Sequence, residues 1–140
     1  MSAASDYTEN NIANWLLRGE APPVPAGTYV ALHTSDPGES GGANEVKTSA
    51  WPAYARQDAA DGGVIASGWT EPADGVSENA KQLIFPVYDG TGSITVSHFS
   101  VKDAVTGGNT LVKAPLNASR TLSPGDVFVV DVNRLTVQVL

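Results

Sequence analysis

The chain has 140 residues, 41% hydrophobic and 16% charged, which suits one globular domain with its own core and leaves no room for a second. Eight Lys and Arg stand against fifteen Asp and Glu, a net charge of −7; no basic cluster can displace counterions from phosphate, which excludes nucleic acid as a direct partner. The absence of cysteine excludes disulfides and thiolate metal sites, and no apolar run approaches the roughly 20 residues that cross a bilayer, so no membrane partner is expected.

The polar opening, residues 1–9, lacks the basic and apolar regions of a signal peptide, so synthesis and folding in the cytoplasm are expected. A short helix begins here. Asp6 is placed to cap it, Glu9 three residues on completes a capping-box pattern, and Ile12, Trp15 and Leu16 fall at i, i+3, i+4 on one stripe. Leu17 widens the stripe and Gly19 is the stop signal. A three-turn helix does not persist alone in water, so it must dock on a sheet or on another subunit. Pro22, Pro23 and Pro25 then force an extended arm that cannot serve as a central strand. Residues 1–27 therefore read as helix plus arm, and residues 28–140 as the body.

Within the body, residues 28–34 predict a central strand, with Val30 and Leu32 on one face and Tyr29, Ala31 and His33 on the other. Residues 35–50 form the longest polar, glycine-rich stretch; Asp36-Pro37-Gly38 is a turn signal and Gly41-Gly42 suggests a mobile tip. Short strands are expected near 54–57 and 64–69, and a stronger one over 81–87 that Pro86 confines to an edge. Residues 93–101 alternate clearly, with Ile94 and Val96 opposite Thr95, Ser97 and Phe99. Residues 110–113 pair back as a hairpin partner, and strands over 127–130 and 135–140 close the chain. With fourteen glycines and nine prolines, seven or eight short strands imply a mainly β fold, a β-sandwich or jelly-roll-like single domain with one N-terminal helix and a Pro-rich arm.

Catalytic and metal motifs are sparse. His33 and His98 sit inside predicted strands without a local ligand pattern, as hydrogen-bonded strand histidines do. Asp36, Glu39 and Glu45 share one loop but lack the alternating oxygens of a calcium loop, so a solvated acidic loop is expected. No nucleophile elbow or phosphate-binding loop is present, and no enzyme activity, metal or cofactor is predicted. The aromatics Trp15, Trp51 and Trp69, with Tyr29 and Tyr54, read chiefly as core and interface anchors rather than as sugar platforms. Trp51, ahead of Pro52 and beside the glycine-rich loop, is the one marked for a partner contact.

An ordered set of segments carries a resemblance. Tyr7-Thr8-Glu9-Asn10, Trp15-Leu16-Leu17, residues 28–37, Glu45-Val46, residues 54–57, Phe85-Pro86, His98-Phe99, residues 103–109 and residues 123–126 together resemble small tailed-phage proteins of the tail-fibre-like family, over nearly the whole chain. The approach to the segment 54–57 departs from that pattern, being Lys-Thr-Ser-Ala-Trp-Pro-Ala over residues 47–53. The resemblance implies a non-enzymatic virion component. The chain lacks the heptads and repeats of a long fibre, so the first expectation is a capsid decoration (cement) protein that stabilises the head shell. Its partners would be the major capsid protein or other virion subunits, and it would act as a symmetric homo-oligomer such as a trimer, held by avidity. A tail fibre or baseplate subunit involved in host attachment is the alternative. The expected protein interface comprises Ile12, Trp15, Leu16, Pro22, Pro23, Pro25 and Trp51.

Overall fold

A computed structural model describes residues 3–139. The helix, α1 (Asp6–Arg18), opens the chain. Its N-cap is Ser5, not Asp6: the Ser5 hydroxyl accepts from the Thr8 amide at 3.3 Å, while Asp6 and Glu9 lie in the first turn, where the helix dipole favours carboxylates. At the other end Gly19 is left-handed (φ 71°), so its amide and that of Glu20 reach back to the carbonyls of Trp15 and Asn14.

Eight strands follow: β1 (Tyr29–His33), β2 (Gln57–Asp58), β3 (Val76–Glu78), β4 (Leu83–Ile84), β5 (Ile94–Lys102), β6 (Thr110–Leu122), β7 (Val129–Val130) and β8 (Thr136–Gln138). They form one four-stranded antiparallel sheet of order β2-β1-β5-β6 and two two-stranded ladders, β3 with β8 and β4 with β7. The fold is thus mainly β with one short N-terminal helix, and β1 lies inside its sheet as its apolar sequence predicts.

Several elements differ from expectation. Residues 64–69 hold a 3₁₀ turn (Ile65–Gly68) instead of a strand; an added Cβ on Gly68 would sit 2.0 Å from the Ala59 carbonyl oxygen, so this glycine allows two backbone segments to touch. The ladder expected over 81–87 shrinks to Leu83–Ile84. Beyond it, isolated amide bonds from Phe85 to Phe128 and from Tyr88 to Asp126 hold the segment, with Pro86 between them. β6 runs nine residues past the expected hairpin partner, to Leu122, and Pro115 is tolerated because β6 is the sheet's edge strand. Between the pairs Val96↔Arg120 and His98↔Pro115, β5 advances two residues while β6 advances five. This irregularity returns Phe99 to the core that Val96 already faces, where strict alternation puts them on opposite sides. The last expected strand is β8, and residue 140 lies outside the described residues.

The core gathers Val30 and Leu32 of β1, Val96, Phe99 and Val101 of β5, and Trp51, Leu83, Phe85, Tyr88, Phe128 and Leu135. Phe85 meets Phe128 and Trp51 meets Tyr88 edge-on, each pair 5.6 Å apart between ring centres. Residues 3–5 join this body: Ala3 donates to the Gln138 carbonyl, Lys113 donates to the Ala3 carbonyl, and Ser5 donates to Leu111. Residues 3–5 therefore lie between β6 and β8 as part of the body's own ladder.

Candidate interaction surface

Three anchors fix the base of α1. The Thr8 hydroxyl donates to the Leu111 carbonyl at 2.7 Å, the Asp6 amide donates to Glu39, and the Ser5 hydroxyl donates to the Thr110 carbonyl. The other end has none of this. No residue of α1 is fully buried, and exposure rises toward the tip: Trp15 53%, Leu16 69%, Leu17 84%. Three consecutive residues turn through about 100° each, so the tip is apolar around most of its circumference. Isolated exposed leucines are ordinary on a protein surface, whereas a helix end apolar on several sides is not. The Arg18–Glu20 ion pair at this end is exposed and contributes little.

The Pro-rich arm returns along the helix. Ile12, Pro22, Pro23 and Pro25 line one groove of about 490 Å³, with Tyr7 at its base and Leu111 behind it. The structure thus brings together four of the seven residues expected at an interface, while Trp15 and Leu16, farther along the same helix, do not line this groove and stand exposed. Val24, overlooked among the prolines, is 87% exposed. Trp51 is the correction. Its side chain is fully buried, its indole N–H donates to the Val87 carbonyl at 3.2 Å, and it packs on Tyr54 and Tyr88, so in the folded chain it is core and offers no surface to a partner. Trp69 is half-buried against the same core, with its indole N–H directed at Thr28 Oγ1.

Opposite the apolar core, the second face of the main sheet carries a buried polar network. His33 Nδ1 lies 2.8 Å from the Ala43 carbonyl and so carries the proton; Nε2 then accepts from the Ser100 hydroxyl at 2.8 Å. Burial holds this imidazole below its ordinary value, which keeps it neutral. Lys102 Nζ donates to the Gly41 carbonyl and to Thr110 Oγ1, and burial lowers its value too. Gly41 is consequently not a mobile tip: it is buried, left-handed (φ 74°) and pressed against Thr110.

The acidic loop is likewise not wholly solvated. Glu45 accepts two hydrogen bonds from Arg56, at 2.8 and 2.9 Å, and one from the Tyr54 hydroxyl at 2.9 Å. Burial raises the Glu45 carboxyl, but the Arg56 and Tyr54 hydrogen bonds outweigh it and leave the net value lowered. Burial, aided by Glu45, raises the Tyr54 phenol. Arg56 also donates to the Ala104 and Gly107 carbonyls, so one guanidinium ties the 34–46 loop to the 103–108 loop. These charges are occupied in holding loops. Among the described residues no group of three His, Cys, Asp or Glu is arranged to hold a metal ion, and no helix is long and apolar enough to cross a membrane.

The family described as podophage GP4 fiber I protein gp80 matches residues 3–138. The match spans almost the entire chain, and the chain belongs to that family. No curated protein matches it significantly.

Proposed function

We propose that the chain is a subunit of the phage's tail fibre, seated on a neighbouring virion subunit through the tip of α1 and the arm beside it. A structural role in the phage particle follows from family membership. The observation that carries the finer reading is the family's own description as a fibre protein, over residues 3–138. It favours the fibre over the shell-decoration role, for which the lack of heptads and fibre repeats argued.

The geometry supports docking through α1. Its base is hydrogen-bonded to β6, while its far end presents Trp15, Leu16 and Leu17 to solvent. Rigid anchoring means that little ordering entropy is lost when the tip is covered. Whether the covering subunit is a second copy of this chain or another fibre protein, it must offer an apolar pocket rather than a charged surface.

Fractionation tests the placement. Purified particles are disrupted, heads and tails are separated by density, and each fraction is probed with an antibody to this chain. Recovery with the tails is expected; recovery with the head shells would overturn the fibre reading and restore decoration.

A further inference from the structure

We infer that the cleft bounded by β6, β8 and the 34–38 turn is a binding site for an acidic sugar, with the ligand's carboxylate on Lys113 and its hydroxyls on the surrounding polar side chains. The observation that points to a ligand is Lys113 itself. It lies on the polar face of the main sheet, opposite Ser100, and is only 8% exposed. The other lysines held close to the body have acceptors: Lys102 has the Gly41 carbonyl and Thr110 Oγ1, and Lys81 has the Asp58 and Ala60 carbonyls. Lys113 Nζ has neither a hydrogen-bond acceptor nor a carboxylate within reach among the described residues. With no partner from the protein, this ammonium is left to water or to a ligand that replaces the water. Among the described residues no buried side-chain nitrogen is sealed off without a partner, so Nζ keeps an opening to solvent, and the cleft that Lys113 lines is that opening.

The cleft is about 410 Å³, within the range of small-ligand sites. Asp36, His98, Asn117, Thr136 and Gln138 line it with Lys113. Its chemistry narrows the occupant. A basic ligand would meet the Lys113 ammonium. A bare anion would gain Lys113 but face the Asp36 carboxylate, which lies in the same cleft beyond ion-pair distance of the lysine. A hydrocarbon would strip water from six polar side chains without replacing their hydrogen bonds. A ligand with one carboxylate and several hydroxyls satisfies both ends: the carboxylate takes Lys113, while hydroxyls donate to Asp36 and exchange hydrogen bonds with the Asn117 and Gln138 amides and the Thr136 hydroxyl. His98 keeps its Nδ1 hydrogen-bonded to Ser97, which fixes the ring at the cleft wall. The site is independent of whether the chain stands on a tail or a head.

Nuclear magnetic resonance titration of the full chain tests this, with glucuronate as the probe and glucose and acetate as the neutral-sugar and bare-carboxylate comparisons. Glucuronate is expected to produce saturable shifts at the amides of Lys113, Asn117 and Gln138, with a dissociation constant on the order of 1 mM. Glucose and acetate should each bind at least about tenfold more weakly. Lys113→Gln should weaken glucuronate about ten- to a hundredfold, the worth of a charge-assisted hydrogen bond, while Lys113→Arg retains most of the affinity. Should Lys113→Gln fail to fold, the exposed rim variants Asn117→Ala and Gln138→Ala decide the matter, each weakening glucuronate severalfold in a folded protein. No saturable response to glucuronate, an equal response to acetate, or affinity unchanged in the Lys113 or rim variants would overturn the proposal. None of these results bears on the fibre placement.

Discussion

Replacing Leu16 and Leu17 together by serine separates a docking surface from a structural one. At 69% and 84% exposure, neither side chain has much left to lose in the isolated chain. Such surface changes move stability by about 0.5 kcal/mol or less each. In the assembly the arithmetic reverses. Fully burying a leucine contributes about 1.5–3 kcal/mol, and most of that area is still available here. Enclosing both would therefore contribute roughly 3 kcal/mol per copy, or about a hundredfold in association. Repetition over symmetry-related copies multiplies the effect on assembly. The assay pairs thermal unfolding of the purified double variant with its incorporation into particles from a host supplying only that variant. The expected result is an unfolding temperature close to that of the parent and a sharp loss of incorporation. Normal incorporation of the variant, or a large drop in its unfolding temperature, would refute the reasoning, because α1 would then serve the fold of its own chain and not a contact. Point variants are preferable to removing residues 1–25, since Ala3 and Ser5 belong to the body's ladder and their loss would unfold the protein for unrelated reasons.

Other outcomes follow from the core and the polar face. Trp51→Ala should cost about 3–5 kcal/mol and lower the unfolding temperature by about 10 °C or more, with Trp51→Phe much milder; a near-neutral alanine variant would return Trp51 to the surface. Gly41→Ala, whose Cβ would fall 2.3 Å from the Thr110 methyl at a left-handed position, should destabilise by about 1–3 kcal/mol, whereas the neighbouring exposed Gly42→Ala stays within about 0.5 kcal/mol in denaturant titration. Acid should weaken the fold in two steps. The His33 value is lowered on folding, so in the window below the ordinary imidazole value of 6.5 the unfolded chain binds the extra proton, and stability falls as pH drops through it. Glu45 is lowered on folding too, so its contribution is present above the ordinary carboxylate value of 4.5 and is lost as pH falls further. His33→Gln should remove the upper step and leave the lower one, as read by unfolding temperature against pH.

What the sequence disclosed depended on how local the signal was. Helix α1 was legible because its apolar stripe and Gly19 stop lie within fourteen residues, and β1 and β5 because each is a continuous run rich in β-branched and apolar residues, although the shift between Val96 and His98 overturned the face expected for Phe99. The capping residue was misassigned by one position, since Ser5 and Asp6 are both good caps and only the fold chooses Ser5 by giving its hydroxyl the Thr110 carbonyl. The length of β6 was hidden by Pro115 and the polar run after it, which an edge strand tolerates but a local pattern reads as an end. Trp51 looked exposed because its neighbours are polar and turn-forming. Its actual environment comes from Tyr88, 37 positions on, which no local reading supplies. The buried groups His33, Glu45, Arg56 and Lys102 come from four separate segments, and that Lys113 has no side-chain partner among the described residues is visible only in the folded chain. The exposure of Trp15 and Leu16 was legible because an amphipathic helix without an intramolecular cover leaves its apolar residues in solvent.

Cryo-electron microscopy of intact particles tests the central claim most directly, by fitting this fold into the reconstructed virion and counting its copies. The account predicts density for the chain in the tail fibres, with the tip of α1 enclosed by a neighbouring subunit. Regular density over the head lattice and none at the fibres would contradict it.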